Sequence, residues 1–417
     1  MNAYQESYWD TENRSPYSYY EKLRSEGGVV WDERMKAWLV VDAAPIRTVM
    51  TREDIFSHPY TSMKAGEGYK ALRLNNPRSF QFLVGEEHQA MHRWWLKDLL
   101  SPQWVAKYHE SVVAPIVTRV LNDLAGRNTF DLVDDFAERI PVAIFAELLD
   151  LPDRSDAALA HIKRLNDHIA EFANVANSLR LEAQDAEQAK IVQQRAVHAA
   201  QELNELLSPV VYARKGGDGD DFVSRIWAGG NKIFPDWNEI DTLDSCRRLL
   251  FAGSDTTTIS LENAFYMLLT DAELMASVRE GGRERMPAFV EEVLRLNGSV
   301  QFRPRRASKD TELAGQKISQ GDMVLAILQG ANRDETVFSC PHAIDMQRKN
   351  GRNHFTFNLG PRSCPGSNLA RVELREALSQ ALEQFVNIKL VNPSEPTLRG
   401  FLFRAYRPLH VAVERHA

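Results

Sequence analysis

Apolar residues recur at helical spacing along most of the chain. The segments with this spacing run over 102–124, 142–149, 155–208 with an interruption, 237–269, 285–296 and 368–385. Strand patterns are short; two pairs predict hairpins and a third predicts a further small sheet, at 29–31 with 37–41, 317–319 with 323–327, and 401–406 with 409–414. Since no repeat or long linker interrupts this order, we predict a mainly α fold with small β-sheets, in one domain over 1–417.

The longest helical segment, 237–269, would form a helix roughly 50 Å long if it were continuous. Asp236 is positioned to cap its N-terminus, and Glu239 to complete a capping box. The centre reads GSDTTT over 253–258, which is poor helix material, because glycine costs up to ~1 kcal/mol relative to alanine. Two interpretations stay open. The segment forms two helices with a second cap at Ser254 or Asp255, or one locally distorted helix whose polar side chains face a cavity.

Arg248, Ala252 and Thr256 share one face of this segment, at spacing i, i+4, i+8. They form a line of a cation, a small residue and a hydroxyl. A cation facing the core is costly unless an anion meets it. A surface arginine and a cavity-facing arginine both stay open for Arg248.

The chain has 417 residues, a net charge of −7, 44% hydrophobic and 26% charged residues. This composition excludes a disordered or collagen-like protein and argues against a general nucleic-acid-binding surface. Three cysteines without a CxxC pair exclude a disulfide framework and fit a reducing compartment. The first residues lack the pattern of a secretory signal, and no stretch approaches ~18 uninterrupted apolar residues. We expect a cytoplasmic protein with no membrane segment and no nucleic-acid partner.

The most informative stretch is the cysteine loop, HFTFNLGPRSCPG at 354–366, which precedes a predicted helix. Cys364 lies just before the helix start, and Pro365 suits its first turn. The positive end of the helix dipole and unpaired N–H groups favour a thiolate there, and Arg362 adds positive charge. A lone cysteine is usually a small buried hydrophobic residue. This setting instead favours a ligand role for Cys364.

Five residues of the loop resemble the haem-binding signature of the cytochrome P450 superfamily, in which the cysteine thiolate is the axial iron ligand. These residues are Phe357, Gly360, Arg362, Cys364 and Gly366. Upstream, the run at 252–257 resembles the family's oxygen-activating stretch, and 292–295 matches its Glu-x-x-Arg motif. The resemblance covers essentially the whole chain. It implies the P450 fold, with a long central helix over a buried haem b.

The resemblance implies a role for each matched residue. Cys364 would ligate the iron, and its electron donation favours cleavage of the O–O bond. Asp255 and Thr256 would deliver protons through ordered water, since a hydroxyl beside a carboxylate can reverse its hydrogen bonds. Gly253 would leave room for the bound oxygen. The remaining signature residues, Phe357, Arg362 and Gly366, would shape the haem site.

The two haem propionates need cationic partners, since buried anions are costly when unpaired. By resemblance these partners are His88, Arg305 and His354. The arginine expected four residues after His88 is replaced by His92, and the adjacent Arg93 is the alternative partner.

Glu292 and Arg295 would hold the cysteine loop from behind, because i, i+3 spacing sets both on one helix face. The basic residue that completes this network in the family falls on Ala343, with His342 beside it. Asn358 replaces the glycine that usually follows the signature phenylalanine, so the turn is expected to differ slightly.

The resemblance also indicates which segments line the substrate pocket. An aromatic wall with Arg248 and Gln301 suits a small-to-medium molecule, aromatic or terpenoid-like, that carries a polar or acidic group. The candidate substrate-binding residues are Phe80, Gln81, Phe82, Arg248, Phe251, Ala252, Gln301, Phe302 and Phe401.

The leading interpretation is a haem-thiolate monooxygenase that inserts one atom of dioxygen into an organic substrate. Oxidative coupling, nitration or peroxygenation is the second reading, and a non-catalytic haem sensor the third. No flavin domain or cysteine cluster is present, so electrons must come from a separate ferredoxin or flavodoxin-like donor. A basic patch would attract this donor. Its candidate members are Arg93, Lys97, Arg348, Lys349 and Arg352. Because nothing demands an oligomer, we expect a monomer.

Overall fold

The computed structural model describes residues 6–59, 70–74, 76–179 and 186–415. The helices are α1 Tyr17–Ser25, α2 Ala43–Thr51, α3 Gly85–Trp94, α4 Pro102–Tyr108, α5 Ala114–Asp123, α6 Arg139–Leu148, α7 Asp156–Asn177, α8 Ala186–Ala213, α9 Phe222–Ile233, α10 Glu239–Thr270, α11 Ala272–Asn297, α12 Leu328–Ala331 and α13 Ser367–Gln384. Short 3-10 or π turns span Tyr8–Thr11, Phe80–Phe82, Trp95–Leu99, His109–Val113, Val133–Ala137, Gly351–Asn353 and Gly360–Arg362.

In the described part of the chain the strands form four small sheets, and the mainly α fold with small β-sheets is confirmed. One sheet has five strands in the order β1-β2-β8-β5-β3, one has three in the order β4-β12-β9, and two pairs are β6-β7 and β10-β11. The strands are β1 Val29–Asp32, β2 Ala37–Val40, β3 Phe56–Ser57, β4 Thr129–Asp131, β5 Arg303–Ala307, β6 Thr311–Leu313, β7 Gln316–Ile318, β8 Met323–Ala326, β9 Phe385–Leu390, β10 Thr397–Arg399, β11 Ala405–Arg407 and β12 His410–Arg415.

Of the two predicted hairpins, the strand pairing confirms one and contradicts the other. β1 and β2 form the predicted antiparallel hairpin. The predicted hairpin over 317–327 is wrong, because β7 pairs with β6, whereas β8 lies between β2 and β5 and pairs parallel to β2. All four residues of β8 are buried, as expected of a central strand covered on both faces. The last two predicted strands also fall in different sheets.

Helix α10 is continuous over 32 residues, about 48 Å, so the single-helix interpretation is correct. Its central hydroxyls bond to carbonyls one turn back, which satisfies them without breaking the helix. Ser254 Oγ donates to Leu250 O at 2.5 Å, Thr256 Oγ1 to Ala252 O at 2.8 Å and Ser260 Oγ to Thr256 O at 2.8 Å.

The N-terminal cap of α10 differs from the predicted one. Asn238 caps the helix by accepting from Ile240 N at 2.9 Å, and Asp241 completes the capping box by accepting from Asn238 N at 3.1 Å. The predicted residues are used otherwise, since Asp236 pairs with Arg78 and Glu239 with Lys215.

Helix α10 lies at the centre of the helical part, where it packs against α6, α8, α11 and α13. This packing brings the middle of α10 opposite the loop that precedes α13. Within the described ranges, no helix combines the length and apolar character needed to cross a bilayer.

Candidate active site

A cavity of about 350 Å³ lies between the middle of α10 and the cysteine loop. Most of the predicted site residues reach it, from five separate parts of the chain. Those that line it are Phe80, Gln81, His88, Arg248, Phe251, Ala252, Gly253, Asp255, Thr256, Arg305, Phe357, Arg362, Cys364 and Gly366. The predicted residues outside its lining are Phe82, His92, Arg93, Gln301, Phe302, His354 and Phe401.

The cysteine loop holds its sulfur at the cavity wall. Cys364 N donates to Phe357 O at 2.7 Å, which closes the loop just before α13. A Cβ on Gly366 would lie 3.9 Å from the Cys364 sulfur, so this residue leaves the sulfur uncovered. Asn358 adopts φ 65°, a left-handed conformation that asparagine tolerates better than most residues, and so replaces the usual glycine.

Cys364 is half-buried at the cavity wall. Burial raises its pKa, against smaller lowering effects from the Gly366 N–H, Arg303 and Arg371. The charge of Arg362 is used elsewhere, since its Nε donates to Glu53 at 2.5 Å. A cation on the cavity side would favour the thiolate over the thiol.

One edge of the cavity is lined by cationic or ionisable nitrogen groups. His88 is buried, and neither of its ring nitrogens has a hydrogen-bond partner within the described part of the chain. Burial lowers its pKa to about 3, with further lowering by Arg362 and His92. Arg303 and Arg305 line the same cavity. Such a cluster fits a ligand with two buried carboxylates, and the haem propionates match this requirement.

Sequence reasoning missed two members of this edge. Arg303 lies two residues before Arg305 on β5, and the period of two along a strand signals that both point to one face. The second, His58, follows β3 and belongs to no motif that would have identified it. Burial and the nearby charge of Arg362 lower its pKa.

Three predicted propionate partners do not reach the cavity lining. His92 Nε2 bonds to Ser363 O at 2.7 Å and so braces the cysteine loop. Arg93, one residue on, is exposed. His354 Nε2 is held by Glu291 at 3.1 Å, within a buried pair that Arg371 also joins. These contacts place all three beside the site rather than in it.

The face formed by Arg248, Ala252 and Thr256 lines the cavity, so the cavity-facing interpretation of Arg248 is correct. The anion that meets Arg248 is Asp244, at 3.3 Å. Gly253 has a packing reason for its small size, since a Cβ there would lie 2.0 Å from the ring of Phe145. Gly253 and Phe145 both line the cavity, so the expected clearance for oxygen stays a prediction.

Asp255 is buried next to Thr256, and its Oδ1 has no partner among the described residues. Burial raises its pKa to about 7, and the nearby Lys163 opposes this shift. Lys163 in turn contacts Asp167 and Glu138, the latter at 3.5 Å. Asp255 thus lies within the electrostatic influence of Lys163, which pairs with the half-exposed Asp167.

The substrate end of the cavity differs from the prediction at its carboxyl-terminal wall. Phe302 and Phe401 pack on Tyr8, with ring centres 5.6 Å and 5.0 Å away, and so belong to the core. Gln301 Nε2 donates to Gly298 O at 2.9 Å. Phe82 does not line the cavity, and its ring lies under the guanidinium of Arg73. The next residues along, Leu402 and Phe403, line the cavity instead.

Sequence reasoning also missed that helix α7 lines part of the cavity. Ile169, Ala173 and Asn177 line the cavity at spacing i, i+4, i+8. This spacing is the usual core pattern of an amphipathic helix, so it gives no signal that separates a cavity face from ordinary packing.

Glu292 and Arg295 form a fully buried ion pair on α11. Their carboxylate and guanidinium make two parallel bonds of 2.7 and 2.8 Å. Arg295 also donates to three backbone carbonyls, those of Asn332, Pro341 and Ala343. The cation that completes the network is Arg348, whose Nε donates to Glu292 at 3.2 Å. The prediction that Ala343 and His342 occupy this place is therefore wrong.

The comparisons with known proteins agree with this geometry. A cytochrome P450 family model matches residues 9–407. The chain is 27% identical to a putative cytochrome P450, YjiB, of Bacillus subtilis, over 90% of this chain and 89% of that one. It is 26% identical to cytochrome P450(BM-1) of Priestia megaterium, over 90% and 88%.

A similar solved structure is that of CYP109B1 from Bacillus subtilis, with a TM-score of 0.78 and 26% identity over 95% of this chain and 99% of that one. The structure of cytochrome P450 CREJ in complex with (4-ethylphenyl) dihydrogen phosphate has a TM-score of 0.81 and 25% identity over 96% and 97%. Since the family model covers nearly the whole sequence, the chain belongs to the cytochrome P450 family, as a haem b-binding oxidoreductase of the monooxygenase type.

Proposed function

We propose that this protein inserts one atom of dioxygen into a small-to-medium organic substrate, with electrons from a separate donor protein. The observation that carries the proposal is the position of the Cys364 sulfur on the same cavity as Thr256 and Asp255. When bound, haem b supplies the redox chemistry that activates dioxygen. The protein's own residues bind it, orient the substrate and supply protons.

In this proposal Cys364 is the iron ligand, and the nitrogen groups at the cavity edge hold the propionates. His88, Arg305 and Arg303 are the closest fit, because they line the cavity where a buried anion would need a partner. His92 is a positioning residue, since its bond to Ser363 O fixes the cysteine loop.

The proton route runs through Asp255. Burial raises the pKa of its carboxyl to about 7, so it can both release and accept a proton near that pH. Its pKa responds to the charge of Lys163, which pairs with the half-exposed Asp167. The Thr256 hydroxyl, which donates to Ala252 O, can reverse its donor direction to hold a water on the cavity side.

Two substitutions test the proposed function. Cys364→Ser should abolish the red-shifted absorption of the carbon monoxide complex that sulfur coordination gives. An unchanged spectrum would overturn the assignment of the ligand.

Thr256→Ala should lower the product formed per electron supplied, and Thr256→Ser, which keeps the hydroxyl, should restore most of it. Thr118→Ala is the matched control, because Thr118 is an exposed helical threonine that makes the same bond to a carbonyl one turn back. Equal product yields in Thr256→Ala and the parent would refute the role of the hydroxyl.

For the substrate we propose an aromatic or terpenoid-like molecule with a polar or acidic group. Phe80 and Phe251 supply apolar lining, and Arg248 a cation. The relative CREJ was crystallised with an aryl phosphate, a ligand that likewise combines an aromatic body with an anionic group.

For the electron donor we propose a ferredoxin or a flavodoxin-like protein. Its docking patch would use Arg93, Lys97, Lys349 and Arg352, which are exposed. Arg348 is withdrawn from the patch, because its side chain is buried against Glu292. We further propose a monomer with one domain over 1–417, located in the cytoplasm, a location that the three free cysteines support.

A further inference from the structure

The substrate end of the cavity carries three arginines, Arg73, Arg247 and Arg248. Within the described residues, the one carboxylate that bonds to them is Asp244. A cavity wall with three guanidinium groups and one carboxylate has an excess of positive charge. Buried charge of one sign is costly unless a group of opposite charge meets it.

Asp244 is engaged mainly by Arg247. The Arg247 guanidinium donates to Asp244 at 2.6 Å, to Asn204 Oδ1 at 2.5 Å and to Leu72 O at 3.4 Å. These three bonds satisfy three of the five N–H groups of Arg247 within the protein and anchor its guanidinium as part of the wall.

Arg248 and Arg73 are not satisfied in this way. Arg248 reaches Asp244 only at 3.3 Å and donates to the Ser79 hydroxyl through the same nitrogen, while its buried Nε has no partner in the described part of the chain. The buried Nε of Arg73 likewise lacks one, and its guanidinium lies 4.7 Å from the ring centre of Phe82. Both side chains line the cavity.

We propose that Arg73 and Arg248 bind the carboxylate of an organic acid that is the substrate. This inference rests on the proposed function and names the substrate class of the same site. A carboxylate accepts several charge-assisted hydrogen bonds, and it would supply the anion that the two free Nε–H groups lack. Phe80 and Phe251 line the same cavity and would contact its apolar body.

The position of Arg248 on α10 also fixes the direction of the bound acid. Arg248 and Thr256 are eight residues apart on one helix face, about 12 Å along the axis. An acid held at Arg248 therefore presents its far end to Thr256 and Cys364. Oxidation falls on carbons remote from the carboxylate.

The test uses the holoenzyme and a matched pair of probes, 6-phenylhexanoate and 6-phenylhexan-1-ol, which differ in charge but share an apolar body. Calorimetric titration gives the dissociation constant of each probe for the parent, Arg73→Gln, Arg248→Gln and the control Arg195→Gln. Arg195 is an exposed arginine of α8 paired with Glu171, so its substitution removes the same charge outside the cavity.

The parent should bind the acid at least tenfold more tightly than the alcohol. Each cavity substitution should weaken acid binding about tenfold, as expected for a charge-assisted hydrogen bond, with alcohol binding within twofold of the parent. Arg195→Gln should change neither constant. Equal binding of the two probes to the parent, or equal losses for both probes in the variants, would overturn the proposal.

Two features keep this test decisive. The buried Nε of Arg73 has no partner among the described residues, so Arg73→Gln removes only the contact with the Phe82 ring and tests the proposal even where Arg248→Gln fails to fold. The carbon monoxide spectrum is recorded for each variant first. A protein with the normal spectrum and no preference for the acid refutes this inference alone, whereas an abnormal parent spectrum refutes the proposed function.

Discussion

Replacing Asp255 by asparagine should make the protein more stable and less active, with the gain in stability growing as the pH rises. The carboxyl is buried and its Oδ1 has no partner among the described residues, so the ionised form is disfavoured in the folded state. Burial raises its pKa from 3.8 to about 7. Asparagine has nearly the same shape and never ionises.

The sign and size of the effect follow from this pKa. The pKa of Asp255 is higher in the folded protein than in the unfolded chain. The neutral carboxyl therefore contributes its full stabilisation below pH 3.8, and the parent loses this stabilisation as the pH rises toward 7. Each pKa unit corresponds to about 1.4 kcal/mol, so the parent loses about 3 kcal/mol relative to Asp255→Asn between pH 5 and pH 8. For a chain of this length, that difference is roughly 3 °C in melting temperature.

The assay is the melting temperature of parent and variant holoenzyme, followed by circular dichroism at several pH values between 5 and 8. Asp334→Asn is the matched control. Asp334 is buried, but hydrogen bonds from Thr336 and the Ala43 N–H lower its pKa below 3.8 despite the opposing effect of burial. The contribution of the Asp334 carboxylate to the free energy of unfolding is therefore constant above pH 5. Asp334→Asn should lower the stability by the same amount at every pH between 5 and 8. A difference between Asp255→Asn and the parent that is flat across this range would refute the reasoning.

Three further outcomes are expected. Gly253→Ala should destabilise the protein by about 1–3 kcal/mol, because its Cβ would meet the Phe145 ring, and adding Phe145→Leu should recover most of the loss in a thermal melt. Arg295→Leu should cost about 3–5 kcal/mol and lower the haem content of the purified protein, because it leaves the Glu292 carboxylate buried without its main partner. Arg283→Leu removes a half-exposed arginine and should cost less than about 1 kcal/mol, so equal losses in these last two variants would contradict the account.

Local patterns in the sequence predicted the helices and the cavity face of α10, but not the long-range pairings. The spacing of Arg248, Ala252 and Thr256 is set within one helix, so it can be read directly. The cap of α10 was misassigned because Asp236 is drawn to Arg78, which lies far away in the sequence. Strand β8 was misassigned for the same reason, since its partner β2 lies almost 300 residues upstream.

The site residues show the same contrast. Those within local motifs could be located from the sequence, whereas those whose position depends on distant segments could not. Resemblance located Cys364 and His88, whose positions relative to their motifs are fixed by short segments. Phe302 and Phe401 were assigned to the pocket, yet both pack on Tyr8, at the other end of the chain. Arg348 completes the Glu292 network although it lies five residues beyond the expected position, because the loop before it folds back.

Hydrogen-bond satisfaction separates structural polar groups from those that await a ligand. Glu292 and Arg295 are as deeply buried as any charged pair in the described chain, yet they bond to each other, to Arg348 and to three carbonyls. His88 and Asp255 are also buried, but they have polar atoms at the cavity without a partner among the residues that the structure describes. A folded protein rarely leaves such atoms unsatisfied, because each costs about 1–3 kcal/mol. The missing partners are therefore expected to be atoms that the protein binds: propionate oxygens at His88 and water at Asp255.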